Sequence, residues 1–282
     1  MNLNTFMMLS VFENIIQPSL SSAINGNGQR KNLVWNDEFD NTDRLDDNEW
    51  IYEQHCGRFN KELQCYTRHR TKNVRIENGH LIIEACVEPF NGYNFTSGRL
   101  LTRKSWKYGR FEIRARMPYG YQLWPAIWML AKHETYGGWP TNGEIDIAEI
   151  IGNTADLMSS SVHYGPTEKT MISMTSGAKN FSIDLSKSFH SYTLDWTSKQ
   201  LLWLLDDQPY YSVNLDRMMC CNDSNIKSPY NKKGQPFDQP FFLILNVAVG
   251  GTFFGPPPYV TPEQAKYWRK NTMEIDYIRI FQ

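Results

Sequence analysis

The stretch 143-GEIDIAEII-151 sets three carboxylates, Glu144, Asp146 and Glu149, into a run that after Gly143 is otherwise isoleucine and alanine. Charge is costly away from water unless it is paired or used. A helix would place these acids at about 0, 200 and 140 degrees around its axis, so they would share no face. A strand sends Glu144 and Asp146 to one side and Ile145 and Ile147 to the other. Strict alternation would then bury Glu149. One inserted residue, a β-bulge at Ile147-Ala148, corrects the phase, returning Glu149 to the acid side and Ile150 to the core side. The spacing therefore predicts a bulged strand with a row of acids on one face.

The same period of two recurs outward from this strand. In 109-GRFEIRARM-117, Phe111, Ile113, Ala115 and Met117 alternate with Glu112, Arg114 and Arg116, the pattern of a half-buried antiparallel strand. Further strand signals lie at 80-HLIIEACV-87, 190-HSYTLDWT-197, 200-QLLWLLDD-207, 241-FFLILNVAV-249 and 274-EIDYIRIF-281, punctuated by Gly, Pro, Asn and Asp. Helical signals are nearly absent beyond a turn around 261-TPEQAKYW-268. The fold class is all-β, a sandwich or barrel. No linker or repeat divides residues 30 to 282, which read as one domain. Residues 1–29 read as an N-terminal leader, a weak signal segment whose apolar core FMMLSVF lacks a preceding Lys or Arg and is followed by Glu13.

With 282 residues, 41% of them hydrophobic, the chain has enough apolar material for a sizeable core. The net charge of -1 argues against a nucleic-acid partner. No run of about eighteen apolar residues suggests a membrane span. Nine Trp, 15 Tyr and 15 Phe supply rings for a groove as well as a core. Among five cysteines, Cys56 and Cys65 flank a short segment that a disulfide could close, Cys220 and Cys221 are adjacent, and no CxxC pair suggests zinc. Sequons at Asn94, Asn180 and Asn222 are compatible with secretion, the expected localisation.

Two glutamates on one face, with an aspartate between, suit glycoside hydrolysis: one carboxylate attacks the anomeric carbon while the other protonates the leaving oxygen. Asp146 would hydrogen-bond the nucleophile and help hold the two pKa values apart. Alone, ExDxxE is a weak pattern that a solvated edge or a metal site would also produce.

Its flanks are specific. The order 124-WPAIWML-130, 143-GEIDIAEI-150, 163-HYG-165 and 244-ILNVAVGG-251 resembles glycoside hydrolase family 16, in its laminarinase-type endo-β-1,3-glucanases. Supporting pieces are 37-DEFD-40, 62-ELQCYT-67, 97-SGRLLT-102, 108-YGRFEIRARMP-118 and 273-MEIDYIRIF-281, covering roughly residues 33 to 281 in collinear order. The resemblance implies a β-jelly-roll sandwich of two curved antiparallel sheets, with a concave sugar-binding cleft. It implies a retaining endo-hydrolysis with Glu144 as nucleophile, Asp146 as its assistant and Glu149 as acid/base, needing no catalytic cofactor.

Carried over position by position, the resemblance places Trp124 in the cleft as a stacking ring, whereas Trp128 reads as core packing. Trp139 in 136-YGGWPTNG-143 is a second platform. His163 is expected in the cleft near Glu149. Arg99, Asn60, Glu62 and Gln64 match positions that hydrogen-bond sugar hydroxyls. Asn246 would reach a sugar or satisfy buried backbone. The chain departs from the family at 250-GGTFFGPPPY-259, where Phe253, Phe254 and Tyr259 stand in place of a Trp-bearing loop. Glu38, Gly79 and Asp276 match the positions of a structural calcium far from the chemistry. The expected partner is a β-1,3-glucan polysaccharide, bound by a monomer. The rivals are a family member acting on agarose or carrageenan, and a non-catalytic β-glucan-binding protein on the same fold. Retention of all three acids favours the enzyme.

Overall fold

A computed structural model describes residues 22–24, 30–40, 44–221 and 226–282. The apolar core of the expected leader and the Asn222 sequon lie outside the described residues. Ser22–Ile24, within the segment read as leader, pairs antiparallel with the strand Arg30–Asp37 at a sheet edge.

Two large antiparallel sheets face each other, as expected of a jelly roll. The back sheet runs in the order Ser22–Ile24, Arg30–Asp37, Thr272–Phe281, Gly109–Arg116, His190–Trp196, Gln200–Leu205, Gln208–Asn214, with Val74–Glu77 and His80–Glu84 added beside Thr272–Phe281. The cleft sheet runs Ile172–Thr175, Leu157–Tyr164, Glu144–Ile150, Leu123–Ala131, Phe241–Val249, Arg99–Thr102, Trp50–Tyr52, with Lys179–Asn180 at its edge. A third, four-stranded sheet lay outside the sequence reading. It joins His55–Cys56, Gln64–Tyr66, Tyr93–Ser97 and Cys86–Phe90, and its Gln64–Tyr66 and Tyr93–Ser97 strands pair parallel. Cys56 and Cys65 sit opposite each other in it and form a disulfide. Cys220 and Cys221 are also bridged, and Cys86 is free and buried.

Alternation decides which residues meet between the sheets. Phe111, Ile113, Ala115 and Met117 are fully buried, while Arg114 and Arg116 reach outward to Asp276 and Glu274. The aromatic excess serves mainly this core: Trp35, Trp50, Trp106, Trp196 and Trp203 are all buried. Burial of rings this large supplies much of the hydrophobic stabilisation. The helical turn expected near residue 261 is one short helix, Pro262–Ala265, capped by Thr261 and Gln264 in a reciprocal capping box.

Candidate active site

The strand Glu144–Ile150 lies inside the cleft sheet, between Leu123–Ala131 and Leu157–Tyr164. Gly143 opens it at a φ of 82°, and a Cβ there would meet Pro236 at 2.8 Å, so glycine is required on both counts. Register is regular through Asp146, which opposes Trp128 on one side and Ser161 on the other. It then slips: Ala148 opposes Ile127 and Glu149 opposes Ala126 and Ser159. Ile147 is the additional residue, so the expected bulge is present. Ile145, Ile147 and Ile150 are buried in the core, and the acids share the opposite face.

Pairing across strands arranges that face in three rows. Ser159, Glu149, Ala126, Asn246 and Arg99 form one; Ser161, Asp146, Trp128 and Ile244 the second; His163, Glu144, Leu130 and Phe242 the third. His163 therefore lies beside Glu144 and not, as expected, beside Glu149. Its Nε2 sits 3.1 Å from Asp146 Oδ2, and its Nδ1 is 2.7 Å from the Ser173 hydroxyl. Ser161 donates to the same Asp146 oxygen. The two tryptophans taken as stacking platforms touch the acids through their indole N–H groups. Trp139 Nε1 donates to Glu144 Oε2 at 2.7 Å, and Trp124 Nε1 donates to Glu149 Oε1 at 3.1 Å. Phe253 stacks on Trp124 at 4.4 Å between centroids, so that ring is half of an aromatic pair.

Crowding three acids into a shielded groove sets their titration. Burial, then the charge of Asp146, raises the Glu144 carboxyl to about 8, against the pull of His163 and Trp139. Burial, with Asp146 and Glu144 both opposing its ionisation, pushes Glu149 well above the carboxylate range. Both glutamates thus hold their protons more tightly than an ordinary carboxyl. Burial disfavours a charged His163, but its hydrogen bond to Asp146 and the neighbouring glutamates outweigh this and raise it to about 9. Glu144, Asp146 and His163 present ligand atoms within 4.8 Å of one another, close enough to hold a metal. A protonated imidazole bonded to Asp146 is a poor metal ligand, and the trio fits proton chemistry better.

The remaining expected residues form a network beside the acids, buried except at the half-buried Trp128 and the exposed Asn60. Trp128, contrary to the core reading, lies on the cleft face and donates to Asn246 Oδ1 at 2.7 Å. Asn246 donates to the Tyr66 hydroxyl, which reaches Glu62 at 3.3 Å, and Gln64 donates to the same Glu62 oxygen at 2.7 Å. Asn246 thus satisfies side chains, not backbone. Burial pushes the Glu62 carboxyl up. Asn60 reaches the other Glu62 oxygen at 3.4 Å, and its backbone carbonyl accepts from Thr252. Arg99 lies over the Trp128 ring at 4.8 Å, its Nε 2.6 Å from Glu53. Sequence reasoning missed Glu53, the partner of Arg99 that also lies 3.5 Å from His55, and the serines Ser161 and Ser173. Only Ser161 carried a signal, alternating in phase with His163 in 159-SSSVH-163.

A calcium at Glu38, Gly79 and Asp276 would be held by main-chain carbonyls and the Asp276 carboxylate. Glu38 is engaged by Arg279 and Asn36, and Asp276 by Arg114, with His80 at 3.5 Å.

Two glutamates on one strand face, both held above the ordinary carboxylate range, inside a β-sandwich groove define a glycoside hydrolase site. The comparisons agree. The sequence profile described as Glycosyl hydrolases family 16 matches residues 59–235. A glucan endo-1,3-beta-glucosidase of Cryptopygus antarcticus is 42% identical over 253 residues, 88% of this chain and 90% of that one. A beta-glucanase of Rhodothermus marinus is 40% identical over 259 residues, covering 89% and 85%. The X-ray structure of the laminarinase from Rhodothermus marinus superposes with a TM-score of 0.76 at 40% identity, covering 89% of this chain and 97% of that one. The chain belongs to glycosyl hydrolase family 16.

Proposed function

We propose that the protein is an endo-β-1,3-glucanase that hydrolyses laminarin-like glucan with retention of anomeric configuration. The observation that carries this reading is the bulged strand, which brings Glu144 and Glu149 to one face beside Asp146. Glu144 attacks the anomeric carbon as its carboxylate, while Glu149 gives its proton to the departing glycosidic oxygen. A glycosyl ester on Glu144 results. Glu149, now ionised, takes a proton from water, whose oxygen displaces Glu144 and restores both groups. Trp139 and the His163 cation favour the ionised Glu144 once sugar fills the groove. Asp146, fixed by Ser161 and His163, sets the charge against which both glutamates titrate. The names of the relatives support glucan as substrate over agarose or carrageenan. The Cys56–Cys65 bridge, with exposed sequons at Asn94 and Asn180, supports an extracellular setting.

The test is reducing-sugar release from laminarin, mixed-linkage glucan, agarose and carrageenan, with wild type beside Glu144→Gln and Glu149→Gln, and NMR of the first-formed anomer. The reading requires a β anomer from laminarin, and a loss of about 10²–10⁴-fold in kcat for Glu149→Gln. Binding of laminarin without hydrolysis by wild type would sink the enzyme; hydrolysis of agarose alone would sink the substrate.

A further inference from the structure

The bulge that phases Glu149 leaves a problem in the core. Two residues, Ile147 and Ala148, stand opposite one, Ser160, so local carbonyls turn out of the ladder. A buried carbonyl without a partner is destabilising. Three side chains answer it from the interior. Trp203, fully buried in the back-sheet strand Gln200–Leu205, donates its indole N–H to Asp146 O at 2.9 Å. Ser160, also fully buried, donates to Ile147 O at 2.8 Å. The Tyr210 hydroxyl lies 2.6 Å from Ser160 Oγ and 3.5 Å from Ile147 O. Because Ser160 spends its one proton on Ile147, Tyr210 is the donor in their pair.

Tyr210 is itself out of phase. In the back-sheet hairpin Trp203 opposes Tyr211 while Leu204 opposes Pro209, so Tyr210 is the additional residue of a second bulge. One bulge therefore faces another across the core. Phe181 meets the Tyr210 ring edge-on at 5.0 Å, and Lys179 bonds its carbonyl at 3.3 Å, fixing the ring.

We propose that Trp203, Ser160 and Tyr210 are positioning residues for catalysis, holding the bulged backbone so that Glu149 meets the leaving oxygen. This rests on the two-carboxylate reading above. None of the three touches substrate; each acts through the carbonyls of Asp146 and Ile147. Trp203 and Ser160 pin two successive peptide units, and everything C-terminal to them, Glu149 included, takes its phase from that pinning. A strand that relaxes toward regular pairing turns Glu149 toward the core without moving Glu144. The defect is then specific to proton transfer.

The variants are Ser160→Ala with Tyr210→Phe, and separately Trp203→Phe, with Tyr192→Phe as a control. Tyr192 is another fully buried tyrosine, whose hydroxyl has no hydrogen-bond partner among the described residues. Each is assayed on laminarin and on a dinitrophenyl glycoside of a β-1,3-linked disaccharide, with and without azide. The dinitrophenolate leaves without a proton. Azide then attacks the anomeric carbon of the ester, displacing Glu144 as carboxylate and giving a β-glycosyl azide, with no base required. Misplacing an acid by about 1 Å costs up to roughly 10²-fold, so kcat on laminarin should fall at least about tenfold with KM within about twofold. Azide should accelerate turnover of the aryl glycoside by these variants but not by wild type or Tyr192→Phe. Unchanged laminarin kcat in a folded variant overturns the inference alone. So does a fall that azide does not relieve, or one that Tyr192→Phe matches. If Trp203→Phe does not fold, the Ser160/Tyr210 variant still decides. Wild type inactive on laminarin overturns the underlying reading and this inference with it.

Discussion

Acids on the two large sheets are handled in opposite ways. On the back sheet, Glu274 is bracketed by Arg116 and Lys270, Asp276 meets Arg114, and Glu38 is held by Arg279 at 2.8 Å. Burial works against ionised Glu38 and Glu274, yet these cations outweigh it and hold both below their ordinary range. In the small third sheet Lys72, Thr96 and Arg70 likewise overcome burial and bring Glu88 down to about 2. In the cleft the glutamates receive neutral indole N–H groups, and the cation of the cluster, His163, is bonded to Asp146. The same side chain is thus an inert anion on one sheet, where it is shallower and paired with a cation, and a proton store on the other, where it is deeply buried beside like charges. What marks the site is deep burial of its glutamates with arginine withheld from them.

The largest expected effect comes from giving the cleft the back sheet's solution. Ser159 opposes Glu149 on the acid face, half-exposed. In Ser159→Arg a guanidinium beside Glu149 lowers its pKa, so the carboxyl loses its proton at neutral pH. The alkaline limb of the pH–rate profile should move to lower pH, and kcat at pH 7 should fall by about 10²-fold or more. A profile that keeps its alkaline limb would show that the withheld cation is not what poises Glu149.

His163 offers a smaller test, in stability. Its folded pKa of about 9 lies above the ordinary 6.5, so its contribution is fully present below pH 6.5 and disappears as pH rises through 9. His163→Gln should therefore lower stability at pH 6, by at most about 3 kcal/mol given about 1.4 kcal/mol per pK unit. The gap between the variants should close above about pH 9. Urea melts at pH 6 and pH 9.5 read this directly, and a gap independent of pH would mean that His163 is not charged in the cleft.

How much of this was legible follows from the range of each interaction. The bulge could be read because it is a phase argument within seven residues: Ile145, Asp146 and Glu149 cannot all be satisfied by a regular strand. The strand Gly109–Arg116 was equally plain, since alternation is local. His163 was found but misplaced, because cross-strand register depends on where the intervening turn lets pairing begin. The network from Trp128 through Asn246 and Tyr66 to Glu62 could not be read. Tyr66 and Asn246 are separated by 180 residues, and hydrogen bonds at that range leave no periodicity. Position placed Trp124 and Trp139 in the cleft, but not that their N–H edges turn to the acids. Trp203 lies in the strand signal 200-QLLWLLDD-207, and nothing in that strand records a carbonyl offered by the opposite sheet.

The smallest effect is expected where the back sheet already resembles an ordinary surface. Arg279 pairs with Glu38, and its guanidinium also lies 3.6 Å from the centroid of the Tyr277 ring. Both partners are about a quarter exposed, so solvent screens the pair and its worth is about 1 kcal/mol or less. Because Arg279 lowers the pKa of Glu38, the stabilisation exists above the ordinary glutamate value and is lost as pH falls through the depressed one. Arg279→Gln should thus cost about 1 kcal/mol or less in urea melts at pH 7, with the difference shrinking below about pH 4. Its kcat on laminarin should match wild type across the whole pH range. A change in the pH–rate profile would mean that the fields of the two sheets are not independent. In that case the poise of Glu149 would belong to the charge pattern of the whole sandwich, not to the cleft alone.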